Sequence, residues 1–286
     1  MELNKNYLGD CFELIKQLPE NSVDLIITSP PYADIKSYGK QINVLHPNNY
    51  NNWLMPLIFD FFRVLKPSGS FILNVGDRVL NKHRHPYALD LPGIVARETR
   101  LSFYDRYFWY KPGMPNGSAK RVNNFMEFIF HFVKNVDRIK WDMDRVRETY
   151  AEISVKRMKS KMNIYETKDN GEKILSHQKT GKLNPKGKTP DCLFTFPNNS
   201  KMKGNKHPAP FSIDLPNWFI KALTDEGDLV LDPFMGSGTT AESSIRLNRN
   251  FIGFDLNEFY FEESNKRIEP FMKSSKKISK IDSFFN

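Results

Sequence analysis

A five-residue segment, Thr28-Ser29-Pro30-Pro31-Tyr32, directly follows the apolar run Val23 to Ile27. Ser29 precedes a proline and is therefore pushed into an extended conformation, while the two prolines fix φ and offer carbonyls without N–H groups. The segment is thus a rigid row of acceptors that ends in a flat ring. Acceptors that hold the N–H bonds of a conjugated amino group favour its pyramidal, attacking form, and Tyr32 can stack on the ring that carries it. A Pro-Pro turn that only ends the strand is the alternative.

A glycine-rich turn near the C-terminus is the second candidate site. Leu229 to Leu231 predicts a strand, and Asp232-Pro233-Phe234-Met235-Gly236-Ser237-Gly238 forms a turn before a helix that begins at Thr239. The glycines let the backbone turn sharply and approach a ligand closely, where it meets free N–H groups at the helix start. No lysine follows Gly238, which argues against a triphosphate-binding loop.

Asp255 ends the next predicted strand, Phe251 to Phe254, and lies 23 residues after Asp232. A carboxylate at this place in a doubly wound fold holds the hydroxyls of a ribose. The turn and the acid together predict a site for a cofactor that contains adenosine. The alternative is a turn kept only for helix packing, with Asp255 as an exposed helix cap.

These motifs together resemble the DNA amino-methyltransferases, which methylate adenine N6 or cytosine N4. Thr28 to Tyr32 looks like the catalytic motif of the cytosine-N4 members, and Asp232 to Thr240 looks like the cofactor motif. The catalytic motif comes first, as in the permuted arrangement called the beta group. Asp255 departs from the family, which usually has Glu there, but keeps the charge. Further matches are Gly9-Asp10, Arg63 to Ser70, Trp109 to Pro112 and His207-Pro208-Ala209-Pro210-Phe211.

The resemblance implies direct methyl transfer from S-adenosylmethionine to a base flipped out of double-stranded DNA. The catalytic residues would be Ser29, Pro30, Pro31 and Tyr32. The cofactor would be held by residues from both halves of the chain: Asp10, Thr28, His207, Pro208, Phe211, Asp232, Pro233, Phe234, Gly236, Gly238, Thr239 and Asp255. The adenine members more often have Asp or Asn in place of Ser29, which favours cytosine. A serine hydroxyl suits either base, so adenine stays open.

The positive charge of the chain is confined to one segment. Between Lys134 and Lys206 there are 18 Lys and Arg against 9 Asp and Glu, which accounts for the whole net charge of +9. A basic insert on a neutral body predicts a polyanionic partner, and the resemblance makes this insert the part that recognises the DNA target; an ordinary lysine-rich surface is the alternative. Candidate phosphate contacts are Arg138, Arg145, Arg147, Lys156, Arg157, Lys159 and Lys161.

Strands alternate with helices outside this insert, which predicts an α/β fold with a doubly wound, mostly parallel sheet, the permuted Rossmann-like fold of methyltransferases. The expected organisation is a catalytic half (1–136), a target-recognition insert (137–206), a cofactor-binding half (207–270) and a flexible basic tail (271–286). The second predicted helix, Tyr50 to Leu65, should stop at Lys66-Pro67-Ser68-Gly69, before a strand from Ser70 to Val75. The last helix should run from Glu258 to Ile268.

Several classes of function are disfavoured. The six histidines form no HxxxH pattern and two cysteines cannot supply a four-ligand zinc site, so no metal is expected. No apolar run approaches the roughly 18 residues of a membrane span, and no signal peptide is visible, so we expect a cytoplasmic protein. Open alternatives are a methyltransferase acting on RNA or protein and a DNA-binding module without catalysis. A cognate restriction endonuclease is a candidate partner, and the oligomeric state is not predicted.

Overall fold

The computed structural model describes residues 1–32, 46–111, 120, 122–169, 171–197 and 212–282. These residues fall into two compact units, a large one formed by Met1–Trp141 and Cys192–Asn286 and a small one formed by Asp142–Asp191. The small unit covers a shorter stretch of the chain than the insert expected over residues 137–206.

The secondary structure follows the predicted alternation. The strands are β1 (Lys5–Leu8), β2 (Val23–Thr28), β3 (Leu65–Val75), β4 (Arg78–Leu80), β5 (His83–His85), β6 (Ser102–Tyr110), β7 (Met126–Val133), β8 (Met162–Thr167), β9 (Lys173–Lys179), β10 (Leu193–Phe194), β11 (Leu229–Asp232) and β12 (Asn250–Asp255). The helices are α1 (Cys11–Leu14), α2 (Pro47–Val64), α3 (Tyr87–Glu98), α4 (Glu152–Lys159), α5 (Asp214–Leu223), α6 (Thr239–Arg246) and α7 (Glu258–Asp282).

The large unit is built on an eight-stranded sheet with the order β1-β12-β11-β2-β3-β7-β6-β10. All neighbours in this sheet are parallel except around β7, which runs antiparallel to both β3 and β6. β4 and β5 form a separate hairpin directly after β3. The sequence prediction of a mostly parallel sheet is confirmed.

Helices cover both faces of this sheet, and the alternation along β12 shows it. Phe251 packs in a cluster with Ala241 of α6 and Ile268 of α7. The next residue, Ile252, points to the opposite face and belongs to the cluster that buries α1, α2 and α3. Leu54 and Phe61, both fully buried on α2, lie in that same cluster. The sheet is therefore doubly wound, as predicted.

α2 ends at Val64, one residue before its predicted end, but Lys66 to Gly69 are not a turn before the next strand, because β3 already begins at Leu65. β2 pairs with β3 from Val23 to Leu65 and again from Leu25 to Ser70. Between these two pairs β2 advances two residues while β3 advances five, so the predicted turn is a bulge inside the strand. Proline has no N–H for the ladder and glycine adopts irregular conformations, which explains how turn residues fit there.

The last helix continues well past its expected end at Ile268. α7 runs to Asp282, so the backbone of residues 271–282, expected to be a flexible tail, is helical. Pro270 removes one backbone hydrogen bond, but no glycine follows it, and the Lys, Ser, Met and Ile residues beyond it tolerate a helix. A single proline was therefore not a helix stop here.

The small unit contains α4 and the antiparallel hairpin formed by β8 and β9. A bridge between Glu148 and Lys188 ties its two ends together. α4 buries none of its residues, and Val146 is among the few apolar side chains of this unit that are buried. Backbone pairing and ion pairs thus hold much of this unit together.

A histidine lies in the core of the large unit. His131 on β7 is fully buried, with Nε2 3.0 Å from Ser70 Oγ and Nδ1 3.5 Å from Tyr107 OH. Its ring stacks on Trp141 at a centroid distance of 5.9 Å. Burial lowers the pKa of His131 to about 3, so the imidazole is neutral in the folded protein.

This buried imidazole gives the first prediction. The pKa of His131 is about 3 in the folded protein and about 6.5 in an unfolded chain. Between these values the unfolded chain binds a proton that the folded protein rejects, so the histidine costs stability as the pH falls. We expect the unfolding free energy of the wild type, relative to His131→Gln, to fall by about 1.4 kcal/mol per pH unit below pH 6.5. Urea unfolding at several pH values measures it; a constant difference would contradict it.

Candidate active site

The carboxyl ends of β2 and β11 lie side by side in the sheet. From this pair the chain continues outward to β3 on one side and to β12 on the other. The crevice between them is therefore the topological switch point, where open α/β sheets bind their ligands. Thr28 ends β2 and Asp232 ends β11, and Thr28 Oγ1 donates to Asp232 Oδ1 over 2.7 Å. The two motifs singled out in the sequence meet through this buried hydrogen bond.

Asp232 anchors the glycine-rich turn from inside the protein. Its carboxylate also accepts from Thr240 Oγ1 at 2.6 Å and from Phe234 N at 3.1 Å. Burial raises the pKa of Asp232 to about 6, while these hydrogen bonds oppose the rise. Asp232 is only 1% exposed, so the partners of its carboxylate are the turn, the start of α6 and the end of β2.

The turn itself depends on glycine at two positions. Gly236 and Gly238 have φ values of +54° and +79°, in the left-handed region. Gly236 N donates to Asp255 Oδ2 over 2.8 Å. A Cβ on Gly238 would lie 3.0 Å from Ser264 Cβ and 3.2 Å from Ser264 O, because α7 packs closely against the turn. α6 begins at the next residue, Thr239.

Asp255 joins three segments at one edge of the sheet. Besides Gly236 N, its carboxylate accepts from Asn257 N at 2.8 Å. Gly9 N donates to the main-chain oxygen of Asp255 over 2.9 Å, which brings the predicted Gly9-Asp10 pair beside the turn. Burial raises the pKa of Asp255 to about 6, and its two backbone hydrogen bonds oppose the rise. A carboxylate oxygen accepts more than one hydrogen bond, so Asp255 can still hold hydroxyl donors.

Aromatic rings extend from the turn towards Asp10. Asp10 caps α1 by accepting from Phe12 N at 3.0 Å. The Phe12 ring lies 5.8 Å from that of Trp53, which in turn lies 5.8 Å from the half-buried ring of Phe234. Trp53 on α2 was not predicted as a site residue. The other buried members of the predicted cofactor set are Thr28, Pro233 and Thr239, while His207, Pro208 and Phe211 lie outside the described residues.

A polar network lies directly behind the Ser29–Tyr32 segment. Tyr32 OH donates to Glu127 Oε2 over 2.8 Å, and Ser29 Oγ lies 3.2 Å from Tyr32 OH. Asn74 Nδ2 lies 2.8 Å from both Tyr32 OH and Glu127 Oε2, and 3.4 Å from Ser29 Oγ. Lys111 Nζ contacts Glu127 Oε1 at 2.5 Å. Pro30 and Pro31 connect the two ends of the segment that this network contacts.

Sequence reasoning missed Asn74 and Glu127 as site residues. Asn74 is 1% exposed and interrupts the apolar run Phe71 to Val75. Glu127 is the second residue of the aromatic strand β7 and its only charged one, because the buried His131 is neutral. A lone amide or acid in an otherwise apolar strand is a signal for a buried polar contact, but it does not name the partner.

The seven candidate phosphate contacts divide into three groups. Arg145 pairs with Asp142 at 2.9 Å and Arg147 with Asp144 at 2.6 Å, both within the small unit. Arg138 is exposed and belongs to the large unit. The remaining four are exposed at and just beyond the C-terminal end of α4 and form no ion pair with any described residue: Lys156, Arg157, Lys159 and Lys161. They are the better candidates for an external anion.

Among the residues that the structure describes, no cluster of three or more His, Cys, Asp or Glu side chains is arranged to hold a metal ion. None of the described helices has both the length and the apolar character that a membrane span needs.

Comparison with known proteins identifies the family. Residues 23–266 match the N6/N4 DNA methylase family. This chain is a member of that family. It is 31% identical over 266 residues to the type II methyltransferase M.BglII of Bacillus subtilis, covering 91% of this chain and 67% of that protein. It is also 28% identical to the type II methyltransferase M.PvuII of Proteus hauseri, covering 96% and 86%.

Solved structures of DNA methyltransferases share the fold of this methylase. The PvuII DNA methyltransferase, described as cytosine-N4-specific, superposes with a TM-score of 0.69 at 24% identity, covering 91% of this chain and 84% of that one. A complex of M1.HpyAVI with S-adenosylmethionine superposes with a TM-score of 0.58 at 25% identity, covering 92% and 98%.

S-adenosylmethionine is the cofactor of this methylase. The described residues fit the adenosine half of that molecule. Asp255 keeps acceptor capacity at the strand end, Gly236 and Gly238 carry no side chain at two positions of the turn, and the Phe234 and Trp53 rings offer apolar contact beside it. The site therefore offers a carboxylate acceptor and an aromatic surface, the two features that a ribose and a flat base require.

The packing of the turn gives the second prediction. Gly238 and Gly227 have similar φ values, +79° and +84°, but a Cβ on Gly227 meets nothing within 4 Å. Gly227→Ala should therefore cost only the left-handed backbone strain, about 1–2 kcal/mol. Gly238→Ala should cost about 1–3 kcal/mol more, because its Cβ meets Ser264. Urea unfolding of both variants measures the difference; equal destabilisation would mean that the packing against α7 relaxes freely.

Proposed function

We propose that this methylase transfers a methyl group to N4 of cytosine in double-stranded DNA, within the cytoplasm. The observation that carries this proposal is Ser29, whose hydroxyl stands at the head of the Pro-Pro-Tyr segment, 3.2 Å from Tyr32 OH. Its similarity to the PvuII enzyme, described as cytosine-N4-specific, supports the same target. A hydroxyl can accept from the amino group of cytosine or donate to its N3.

In this proposal the chain acts mainly by positioning. The target cytosine is flipped out of the duplex and stacks on the ring of Tyr32. Ser29 Oγ and the carbonyls of Pro30 and Pro31 accept the N–H bonds of the amino group and orient its nitrogen. When bound, S-adenosylmethionine supplies a methyl group on a positively charged sulfur. The amino nitrogen releases one proton to water as it becomes methylated.

The cofactor residues follow from the same arrangement. Asp255 accepts the ribose hydroxyls, while Asp10 and Phe234 border the adenine. Asp232 acts through the turn, because its carboxylate is covered by protein. We assign the other predicted contacts to the same site, namely Thr28, His207, Pro208, Phe211, Pro233, Gly236, Gly238 and Thr239. The catalytic segment precedes the cofactor turn in the chain, which matches the permuted beta-group order.

Adenine N6 is the second candidate target. The family includes both activities in its name, and Ser29 can hydrogen-bond beside N6 as well as beside N4. Tyr32 and the two prolines would serve either base. The choice of cytosine therefore rests on the resemblance of the Ser29 segment to that of the cytosine members and on the likeness to the PvuII enzyme, because the hydroxyl itself suits both bases.

Mass analysis of nucleosides tests the target atom directly. Unmodified DNA is incubated with the methylase and S-adenosylmethionine and digested to nucleosides, whose masses are measured by mass spectrometry. We expect N4-methylcytosine, and we expect Tyr32→Ala to lose most of the turnover while it still binds the cofactor, because the ring contacts only the base. N6-methyladenine would overturn the cytosine assignment and leave the rest of the mechanism standing.

The basic insert, residues 137–206, is proposed to hold and recognise the DNA. Lys156, Arg157, Lys159 and Lys161 contribute the strongest argument, since their charges are exposed and lack acidic partners among the described residues. Phosphate contacts of this kind give affinity without sequence information. Because several relatives are type II methyltransferases, we propose that the methylase belongs to a restriction-modification system with a cognate endonuclease.

The salt dependence of DNA binding tests the insert. Replacing Arg157, Lys159 and Lys161 by Gln should flatten the slope of log affinity against log salt by about 0.9 for each phosphate that is no longer neutralised. The cofactor affinity should not change. Filter binding or fluorescence anisotropy over a salt series measures the slope, and calorimetry measures the cofactor.

A matched control removes the same charge from the same unit at paired lysines. These lysines contact Glu172, Asp144 and Glu148 respectively: Lys168, Lys186 and Lys188. Their replacement by Gln should change the slope less, since acids of the protein already neutralise them. Equal slopes for both triple variants would show that only net charge matters and that α4 is an ordinary solvated surface.

A further inference from the structure

The network behind the catalytic segment contains two residues that have no part in the mechanism above. It joins Asn74 on β3 to Glu127 on β7, two antiparallel neighbours. Asn74 pairs with Ile129, and Glu127 precedes Ile129 by two residues, so the side chains of Asn74 and Glu127 leave the same face of the sheet. The sheet thus presents a fixed amide and a fixed carboxylate to the underside of the segment.

The hydroxyl of Tyr32 is held from two sides. It donates to Glu127 Oε2 and accepts from Asn74 Nδ2, each over 2.8 Å. Asn74 Nδ2 also donates to the same Glu127 oxygen over 2.8 Å, so the three groups form a closed triangle. The edge of the ring rests on Gly76, where a Cβ would lie 3.0 Å from Tyr32 Cε2. The position of the ring is therefore set by the sheet and not only by its own loop.

Charge fixes the direction of each bond in the triangle. A carboxylate only accepts, so both Tyr32 and Asn74 must donate to Glu127, which also settles the orientation of the amide. Lys111 Nζ, 2.5 Å from the other oxygen, compensates the negative charge of Glu127. Lys111 in turn lies 4.5 Å above the ring of Trp109. The carboxylate is thus held from both ends in a site where its side chain is only 13% exposed.

We propose that Glu127 is a positioning residue for methyl transfer, which acts with Asn74 by holding the hydroxyl of Tyr32 so that the ring is oriented before the target base arrives. The base then stacks on the face of the ring that has been oriented in this way. The inference rests on the proposed role of Tyr32 as the stacking residue. The carboxylate of Glu127 contacts Tyr32, Asn74 and Lys111, so its removal should lower turnover without weakening cofactor binding.

A double-mutant cycle tests this proposal. Glu127→Gln removes the charged acceptor, and Tyr32→Phe keeps the ring but removes the hydroxyl. We expect each variant to lower kcat on unmodified genomic DNA by about 10- to 100-fold, the scale of a misplaced reacting group. The double variant should be no slower than the slower single one. The affinity for S-adenosylmethionine, measured by calorimetry, and the KM for it should stay at the wild-type values.

Matched controls separate this effect from a general loss of charge or hydroxyl. Glu98→Gln removes an exposed acid at the end of α3, and Tyr104→Phe removes the hydroxyl of a partly exposed tyrosine on β6. Both should keep wild-type kcat. Urea unfolding of every variant shows whether it is folded. Should Glu127→Gln not fold, Tyr32→Phe alone decides, because it changes one atom at the far end of the ring.

The outcomes distinguish this inference from the proposed function. If Tyr32→Ala keeps full turnover, Tyr32 is not the stacking residue, and the stacking step of the proposed function is overturned. If Tyr32→Ala is inactive while Tyr32→Phe keeps wild-type kcat, the hydroxyl clamp is overturned and the stacking role survives. If the effects of Glu127→Gln and Tyr32→Phe multiply in the double variant, Glu127 acts by another route, and the inference is equally overturned.

Discussion

The hydrogen bond between Thr28 and Asp232 is the contact on which the site depends. These residues are 204 positions apart in the sequence, and each one ends a strand at the centre of the sheet. Their bond is fully buried, and the same carboxylate also fixes Thr240 and the turn that follows β11. Because an unpaired buried carboxylate would be costly, the two strand ends are held in one register. The catalytic segment and the cofactor turn therefore share a common anchor.

The two sides of this anchor are supported by different means. On the cofactor side, Asp255 ties β12 to the turn and to Gly9, so that backbone groups from three segments meet at one residue. On the catalytic side, Asn74 and Glu127 reach the segment from neighbouring strands of the sheet. Both arrangements place polar side chains on rigid strands and leave the loops to approach the ligands. A methyl transfer that depends on distance and alignment benefits from this rigidity.

The charge of the protein is distributed according to a different principle. In the large unit, acids and bases serve mainly to fix the chain, as Lys111 does with Glu127. In the small unit several bases are also paired internally, including Arg147 with Asp144. The basic residues near the end of α4 remain exposed without acidic partners among the described residues. Net charge alone therefore overstates the number of groups that are available to DNA, and the ion-pair pattern narrows the choice.

The sequence by itself determined the fold class and the residues of the glycine turn, because apolar runs, prolines and glycines act locally. It also determined that the catalytic segment precedes the cofactor turn in the chain. It also led to Ser29 and Tyr32 through a short contiguous motif. The tertiary structure decided what is not local. Lys66 to Gly69 form a bulge within β3, and Asn74 and Glu127 meet behind Tyr32. Such contacts depend on which strands are neighbours and in which register they pair. A single polar residue in an apolar strand shows that a partner exists, but only the assembled sheet shows which partner it is.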